Sequence, residues 1–210
     1  MKWFLVSLTG LFIVAAAIPA WGGMVMYTGE SAFTAVLPAG YYLEEFSAYN
    51  GYGDIGSQNF AGSVGSLNFK YTVSATPSGR LYKVSAGAGA LSTLHGNDTI
   101  LITFTGDPVH AVGGGFFGTD YDGNYTTATM RLVLSDGTVE QYSNVSITDF
   151  RGFKSSQAFT SLAINVPGAD YDDGPYPTLD HLYVGAPEPA TLALVGLGLA
   201  GLVARRRRRK

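Results

Sequence analysis

Oxygen ligands crowd two short turns of this 210-residue chain: Asp120, Asp122 and Asn124 in one, and Asp170, Asp172 and Asp173 in the other. Such turns suit a hard cation, and calcium is the ion that prefers flexible carboxylate and carbonyl ligands. Neither turn is an EF-hand loop. The twelfth position is Arg131 counted from Asp120 and His181 counted from Asp170, where a bidentate Glu belongs. The competing explanation is that Asp and Asn favour turns for their own hydrogen bonding. Three tyrosines also fall in glycine- and aspartate-rich stretches: Tyr52 within 50–56, and Tyr171 and Tyr176 within 170–176. An exposed tyrosine stacks on a sugar ring and donates a hydrogen bond with the same side chain. Most tyrosines of a strand-rich chain simply fill sheet faces, so these three are singled out by their loops. Arg151 joins them as a candidate ligand residue. In Phe150-Arg151-Gly152-Phe153 the two aromatics are expected to fold a tight corner with both rings buried, leaving Arg151 to pair with an acid or face a ligand.

Other chemistries lack their required residues. Gly113, Gly115 and Gly118 match G-x-G-x-x-G, but Thr119-Asp120-Tyr121-Asp122-Gly123 reads as a turn. A dinucleotide site needs a helix N-terminus there to present its amides. His95, His110 and His181 form no His-Glu-x-x-His pair for zinc, and Gly-x-Ser-x-Gly is absent. With no cysteine, thiolate metal sites and thiol nucleophiles are ruled out, and stability must come from a hydrophobic core. A Ser-His-Asp triad drawn from distant loops, or a carboxylate pair for glycoside hydrolysis, is not specified by any local pattern.

Charge narrows the partners. Lys2 and the six residues of 205–210 take seven of the 13 Lys+Arg, and Glu188 takes one of the 16 Asp+Glu. Residues 23–186 therefore keep six cations and fifteen anions, a formal charge of −9. So acidic a domain repels nucleic acid, which is not an expected partner.

The elements that must position these residues read as strands. Leu67–Val73 alternates with period two; Thr99–Thr105 is a more continuous apolar run; Met130, Leu132 and Leu134 share one face. Ser135-Asp136-Gly137-Thr138 predicts a hairpin with a type I′ turn, returning through Val139–Tyr142. Further strands are expected at 33–37, 41–46, 81–85, 109–117, 143–150, 162–166 and 179–184. The alternation lapses between Ala48 and Val64, and Asn50–Gly56 is expected to be an exposed loop. About ten short strands with frequent turns predict one all-β domain: an antiparallel two-sheet sandwich, jelly-roll-like, with an immunoglobulin-like sandwich as the alternative.

Both ends of the chain differ from this middle. Lys2, the apolar stretch 3–18, Pro19 and the small residues around Trp21 form a secretory signal peptide over 1–22, a helix removed by signal peptidase. The exported domain then spans 23–186. At the other end stand Pro187-Glu188-Pro189, an apolar run 190–204, and Arg205, Arg206, Arg207, Arg208, Arg209 and Lys210. Prolines stop regular structure, and the cationic cluster stays on the cytoplasmic side. A helix over 190–204 is about 22 Å long, whereas a bilayer core of about 30 Å asks for about 20 residues. It is a marginal membrane helix, suited to transient retention, with a stable single-pass anchor as the alternative.

This order over 187–210 resembles the PEP-CTERM sorting signal of exported bacterial proteins. The resemblance implies recognition by a membrane-embedded exosortase, contact with the membrane through 190–204, and a final place at the cell surface or outside. It also implies a Gram-negative source that makes exopolysaccharide and uses such proteins in biofilm or sheath material. Ile102–Val109, Gly114–Asp120, Phe150–Phe153 and Leu179–Gly185 resemble segments of the exported domains that precede such tails. Those domains are similar in layout to β-sandwich carbohydrate-binding modules. In that layout the last strand runs beside an N-terminal one, here 41–46, so that Asp180 nears Glu45 and either binds a cation or caps a turn, the cap being favoured. The function expected is a non-enzymatic surface or matrix protein that binds glycan or exopolysaccharide. No cofactor is expected, calcium at Asp120, Asp122 and Asn124 or at Glu45 and Asp180 being the one candidate. The alternatives are an extracellular hydrolase of polysaccharide or ester, and an adhesion protein that binds another protein.

Overall fold

A computed structural model describes residues 23–37, 40–86 and 88–186. The expected signal peptide 1–22 and the expected sorting segment 187–210, with the membrane helix expected over 190–204, lie outside the described residues. In chain order the strands are β1 Val25–Tyr27, β2 Tyr41–Glu44, β3 Gly53–Asp54, β4 Gln58–Val64, β5 Leu67–Thr76, β6 Leu81–Val84, β7 Ala90–Thr93 and β8 Thr99–Phe104. They continue with β9 Val109–Thr119, β10 Tyr125–Thr126, β11 Met130–Leu134, β12 Val139–Tyr142, β13 Phe150–Phe159, β14 Ser161–Asn165 and β15 Tyr176–Gly185. One α-helix, α1 Glu30–Thr34, precedes β2.

All described pairings are antiparallel, and they make two sheets. The first runs β1-β13-β9-β15-β7-β6-β3, with β10 beside β9 and β2 beside β15; the second runs β12-β11-β14-β8-β5-β4. Between them lies the core that the alternation predicted. Phe69, Tyr71, Val73, Ile100, Ile102, Met130, Leu132, Leu134, Leu162 and Ile164 of the second sheet meet Leu91, Val112, Phe116, Phe153, Leu179, Leu182 and Val184 of the first. The opposite face of the second sheet carries Asn68, Lys70 and Thr72, as a solvated antiparallel face should.

The last strand breaks its own alternation. Leu179, Leu182 and Val184 all enter the core, although Leu179 and Leu182 are three residues apart and a regular strand would place them on opposite faces. Leu179 pairs with Phe116 and His181 with Gly115, so Asp180 is the extra residue of a β-bulge. The bulge restores Leu182 and Val184 to the inside. It turns Thr178 on one side of the irregularity, and His181 and Tyr183 on the other, toward the outer face.

That outer face has a small core of its own: Phe33, Ala111, Phe150 and Tyr183. Phe33 is the plug of α1, its ring 5.4 Å from that of Phe150 and 6.2 Å from that of Tyr183. Glycines make the approach possible: a Cβ on Gly152 would lie 2.5 Å from the Phe33 ring, and one on Gly113 would lie 2.8 Å from Phe150. The expected strand 33–37 is therefore corrected to a helix and its following turn. A single helical turn presents Phe33 to the sheet as one knob.

Other expectations also change. Residues 143–149 are irregular, because Asp149 accepts from Ser146 N at 2.8 Å and Asn144 takes a left-handed conformation (φ 56°). The corner expected at 150–153 is straight strand β13. Both rings are buried as expected, but Phe153 enters the inter-sheet core and Phe150 the outer one, as residues three apart on a strand must. Gln58–Val64, unread in the sequence, is the edge strand β4, paired with β5 along its length. The Asp136-Gly137 hairpin is present with another turn: Gly137 alone has positive φ (89°), and its amide donates to Leu134 O. That is a type I turn closed by a glycine bulge. The glycine triplet at 113–115 sits within β9, which is followed by a turn and β10, with no helix to bind a pyrophosphate.

One cross-sheet row includes both ends of the domain. Val25 pairs with Lys154, Lys154 with Ala111, Ala111 with Gly185 and Gly185 with Tyr41.

Candidate functional site

Three loops that the sequence offered separately converge at the Tyr176 end of β15. The first, Asn50–Gly56, expected to be all loop but containing the short strand β3 paired with β6, brings Tyr52. The second, the turn between β9 and β10, brings Asp120 and Tyr121. The third, Asp170–Pro175, leads into Tyr176. Tyr52, Asp120, Tyr121 and Tyr176, with Tyr82 and Val84 of β6, Ser92 and Thr93 of β7, Leu94 and Thr119, line a cleft of about 360 Å³, part of it open to solvent, beside which the third loop stands. Tyr52 and Tyr82 meet edge to face, ring centres 5.0 Å apart, and the Tyr52 hydroxyl donates to the backbone carbonyl of Tyr121. Gly123 (φ 75°) holds its turn close to Tyr52 and Val84, at 3.0 and 3.1 Å from the position of a Cβ. Tyr52 is 48 % and Tyr121 75 % exposed, so rings rim the cleft. Burial, then the neighbouring Tyr82 and Asp122, hold the Tyr52 phenol above its ordinary range.

Beneath the rings the floor is hydroxylic and closed. Thr119 and Thr178 hydroxyls lie 2.9 Å apart, Thr178 donates to Ser92 Oγ at 3.0 Å, and Ser92 donates to the Pro177 carbonyl at 3.2 Å. These buried groups satisfy one another. The third loop is set by a buried acid that the sequence gave no reason to select. Asp98, 1 % exposed, accepts from Ser78 N (3.0 Å), Ser78 Oγ (2.6 Å) and His95 N (3.2 Å). His95 stacks on Tyr171 with ring centres 3.6 Å apart, and Gly96 N donates to Tyr171 O. Tyr176 is buried, its hydroxyl donating to Asp172 O at 2.7 Å.

Beyond the bulge, the same face of β15 carries a different cavity, of about 670 Å³ and open to solvent, lined by Glu30, Leu43, Glu45, Ala88, Asp180, His181 and Tyr183. The Tyr183 hydroxyl donates to Glu30. Asp180 Oδ1 lies 2.6 Å from His181 Nδ1, and His181 Nε2 is buried without a hydrogen-bond partner. Burial alone would lower the His181 pKa, but Asp180, Glu30 and Glu45 outweigh it and raise it above the ordinary value. Gly115 makes room here, since a Cβ would lie 2.2 Å from Asp180 Oδ1 and 2.9 Å from His181 Cε1. Glu30, His181 and Tyr183 escaped the sequence reading. The signal that could have found them is the Leu-x-x-Leu spacing, which betrays the bulge.

The candidate residues thus separate. Tyr52 and Tyr176 share the cleft, with Asp120 on its wall, and Tyr171 stands on the adjoining loop. Asp120 uses its carboxylate within its own turn, accepting from Asn124 N at 2.8 Å. Glu45 and Asp180 do share a cavity, with β2 beside β15 as expected. Asp180 lies inside a strand, however, so the favoured turn cap is corrected to a bulge residue. Among the described residues no three His, Asp or Glu side chains are grouped to hold a metal ion. Arg151 is far from a free ligand contact: its guanidinium carbon lies 3.8 Å over the Tyr142 ring, Nη1 donates to Phe150 O at 2.8 Å, and Nε is 3.5 Å from Glu140. Since Tyr142 also donates to Phe116 O at 3.1 Å, this group clasps the edge strand β12 to the first sheet.

A family model of the PEP-CTERM protein-sorting motif matches residues 186–209. The chain carries that motif, which implies export and sorting by an exosortase-type enzyme. No curated protein matches the chain. Among the described residues no helix is long and apolar enough to cross a membrane. Pro187, Glu188, Pro189 and Arg205–Arg209 belong to the matched segment, outside the described residues.

Proposed function

We propose that this protein is a non-enzymatic surface or matrix component that reaches the outside by exosortase-type sorting and binds glycan in its tyrosine cleft. The observation that carries the reading is the convergence of Tyr52, Tyr82, Tyr121 and Tyr176 around a floor of hydroxyls. Aromatic faces and fixed polar groups are what a sugar ring offers partners for. The fold reading is jelly-roll-like. In its support, β7, β8, β9, β11, β12, β13, β14 and β15 pass from sheet to sheet, save for the β11–β12 hairpin, so that β7-β15-β9-β13 faces β8-β14-β11-β12, the double Greek-key order. The test is a glycan array probed with the mature protein. Binding is expected for a neutral or basic polysaccharide and weakens at least tenfold in Tyr52→Ala and Tyr121→Ala; uniform absence of binding on the array rejects the reading.

A second reading, an extracellular hydrolase, draws on one observation: a histidine with a raised pKa among Glu30, Glu45 and Asp180 in an open cavity. Perturbed titratable groups in a cleft are where acid–base chemistry is found. Turnover on a polysaccharide and ester panel, abolished by Asp180→Asn or His181→Gln, would favour it over binding alone.

A further inference from the structure

The acids of the domain avoid the second sheet. Its six strands, β4, β5, β8, β11, β12 and β14, hold one carboxylate, Glu140, and that one lies 3.5 Å from Arg151 Nε. The side of this sheet turned away from the core carries Arg131 and Lys70 and no acid, on a domain of six cations and fifteen anions. At its Asn165 end lies an open groove of about 760 Å³, bounded by the turn 166–169 and lined by Asn97, Thr99, Arg131, Gln141 and Asn165. Four of these five form one cross-strand row. Gln141 stands opposite Arg131, and Arg131 opposite Asn165; Thr99 takes the next place of the ladder that pairs Ile164 with Ile100. At about 4.8 Å between strands, the row runs about 14 Å across β12, β11, β14 and β8. None of the five side chains makes a hydrogen bond or ion pair with another described residue. Arg131 stands apart in this from the other two arginines of the described residues, since Arg80 pairs with Asp54 and Arg151 with Glu140.

We propose that this groove binds a uronic-acid-bearing polysaccharide, with the Arg131 guanidinium taking a sugar carboxylate. The groove shares no lining residue with the tyrosine cleft, and the proposal does not depend on what that cleft binds. A guanidinium presents paired N–H donors in the fork that a carboxylate accepts, and this one is committed to no acid of its own chain. The carboxamides of Asn97, Gln141 and Asn165 each donate and accept, as the hydroxyls beside a sugar carboxylate require. The lining holds no aromatic ring, so recognition here is polar, and a straight row of such groups suits an extended chain lying across the strands. The formal charge of −9 does not forbid the contact. Repulsion from acids on other faces is screened beyond about 8 Å at physiological ionic strength, whereas the guanidinium–carboxylate contact is short-ranged. A nucleic acid duplex, with one charge per about 1.7 Å, gathers far more of that repulsion than a chain with one carboxylate per sugar.

The experiment is calorimetry on the full-length protein in detergent with a galacturonate oligomer, its fully methyl-esterified form and a sulfated dextran, at about pH 7 and about 0.15 M salt. The acid is expected to bind about tenfold more tightly than the ester, the scale of a hydrogen bond to a charged group. Arg131→Gln removes that preference with the urea midpoint unchanged. Arg131→Lys, which keeps the charge without the fork, retains only part of it. Asn165→Ala weakens acid and ester alike, and Lys70→Gln, on the same face outside the groove, changes neither. Equal binding of acid and ester by the unaltered protein overturns the carboxylate assignment, as does tighter binding of the sulfated dextran, which would mark a general polyanion surface. Acid binding that survives Arg131→Gln, or that is lost in Lys70→Gln or Tyr52→Ala, overturns the groove as its place. If the acid does not bind at all, the proposal falls, and the glycan reading of the tyrosine cleft stands or falls on its own array.

Discussion

The two cavities on the outer face of the first sheet share the strand β15 and differ in how their polar groups are satisfied. At the Tyr176 end, Ser92, Thr119 and Thr178 close a network in which each hydroxyl has a partner. At the Tyr183 end, three carboxylates face one histidine, and a ring nitrogen of that histidine is buried without a partner. Neutral, mutually bonded groups make a floor whose geometry is indifferent to pH. A charge-imbalanced cluster makes a site whose stability depends on one proton. The bulge at Asp180 separates the two regimes within a few residues.

Substitutions can break this contrast from either side. The largest effect is expected from Gly115→Ala, which drives a methyl into Asp180 and His181. Overpacking of this kind costs about 1–3 kcal/mol, read as a lower urea midpoint, with the tyrosine cleft still binding its ligand. Were the midpoint unchanged, the cavity would be looser than its glycine implies. Next is Thr178→Val, which takes one hydrogen bond from Ser92 and one from Thr119 while leaving those two bonded to each other and Ser92 to the Pro177 carbonyl; a lost buried hydrogen bond costs about 0.5–1.5 kcal/mol, and the cost should be the same at every pH. Arg151→Ala removes the clasp on β12 and is expected to cost about 1 kcal/mol through the lost contact with Tyr142. Loss of glycan binding at unchanged stability would refute its structural assignment.

The smallest effect sharpens the comparison most. The folded-state pKa of His181 is raised, so its stabilising contribution is complete below the unfolded value of about 6.5 and is lost as pH rises through the folded value. Unfolding midpoints of the unaltered protein and His181→Gln should therefore converge above that range and separate below it. For Thr178→Val the gap should stay constant across the same series. A constant gap for both would erase the distinction.

What was legible in the sequence follows from where the alternation is clean. β5, β8 and β11 each place every second side chain in one core, and Leu67–Val73, Thr99–Thr105 and Met130–Leu134 were readable for that reason. β13 and β15 serve two cores at once, and β15 does so through a bulge. The corner expected from Phe150-Arg151-Gly152-Phe153 and the cap expected at Asp180 from the resembled layout both fall on these two strands. β4 was lost because it is an edge strand in which only Phe60 is fully inside. Tyr52 and Tyr176 were chosen for their loops, and the structure joins them. Nothing local marked Asp98, and only the Leu179-x-x-Leu182 spacing pointed toward His181; the surroundings of both are assembled from distant segments.

The row Val25–Lys154–Ala111–Gly185–Tyr41 has a spatial corollary for a chain whose C-terminal segment carries a sorting motif. Val25, near the start of the described residues, and Gly185, near their end, lie at the same end of the sandwich. β15 runs ten residues from Tyr176 to that end, about 30 Å at about 3.3 Å per residue. The strand is therefore a spacing rod between the tyrosine cleft and the end of the sandwich at which Gly185 stands. Because neighbours flank the rod on both sides, a pull on residue 186 shears its ladders lengthwise instead of peeling them one bond at a time.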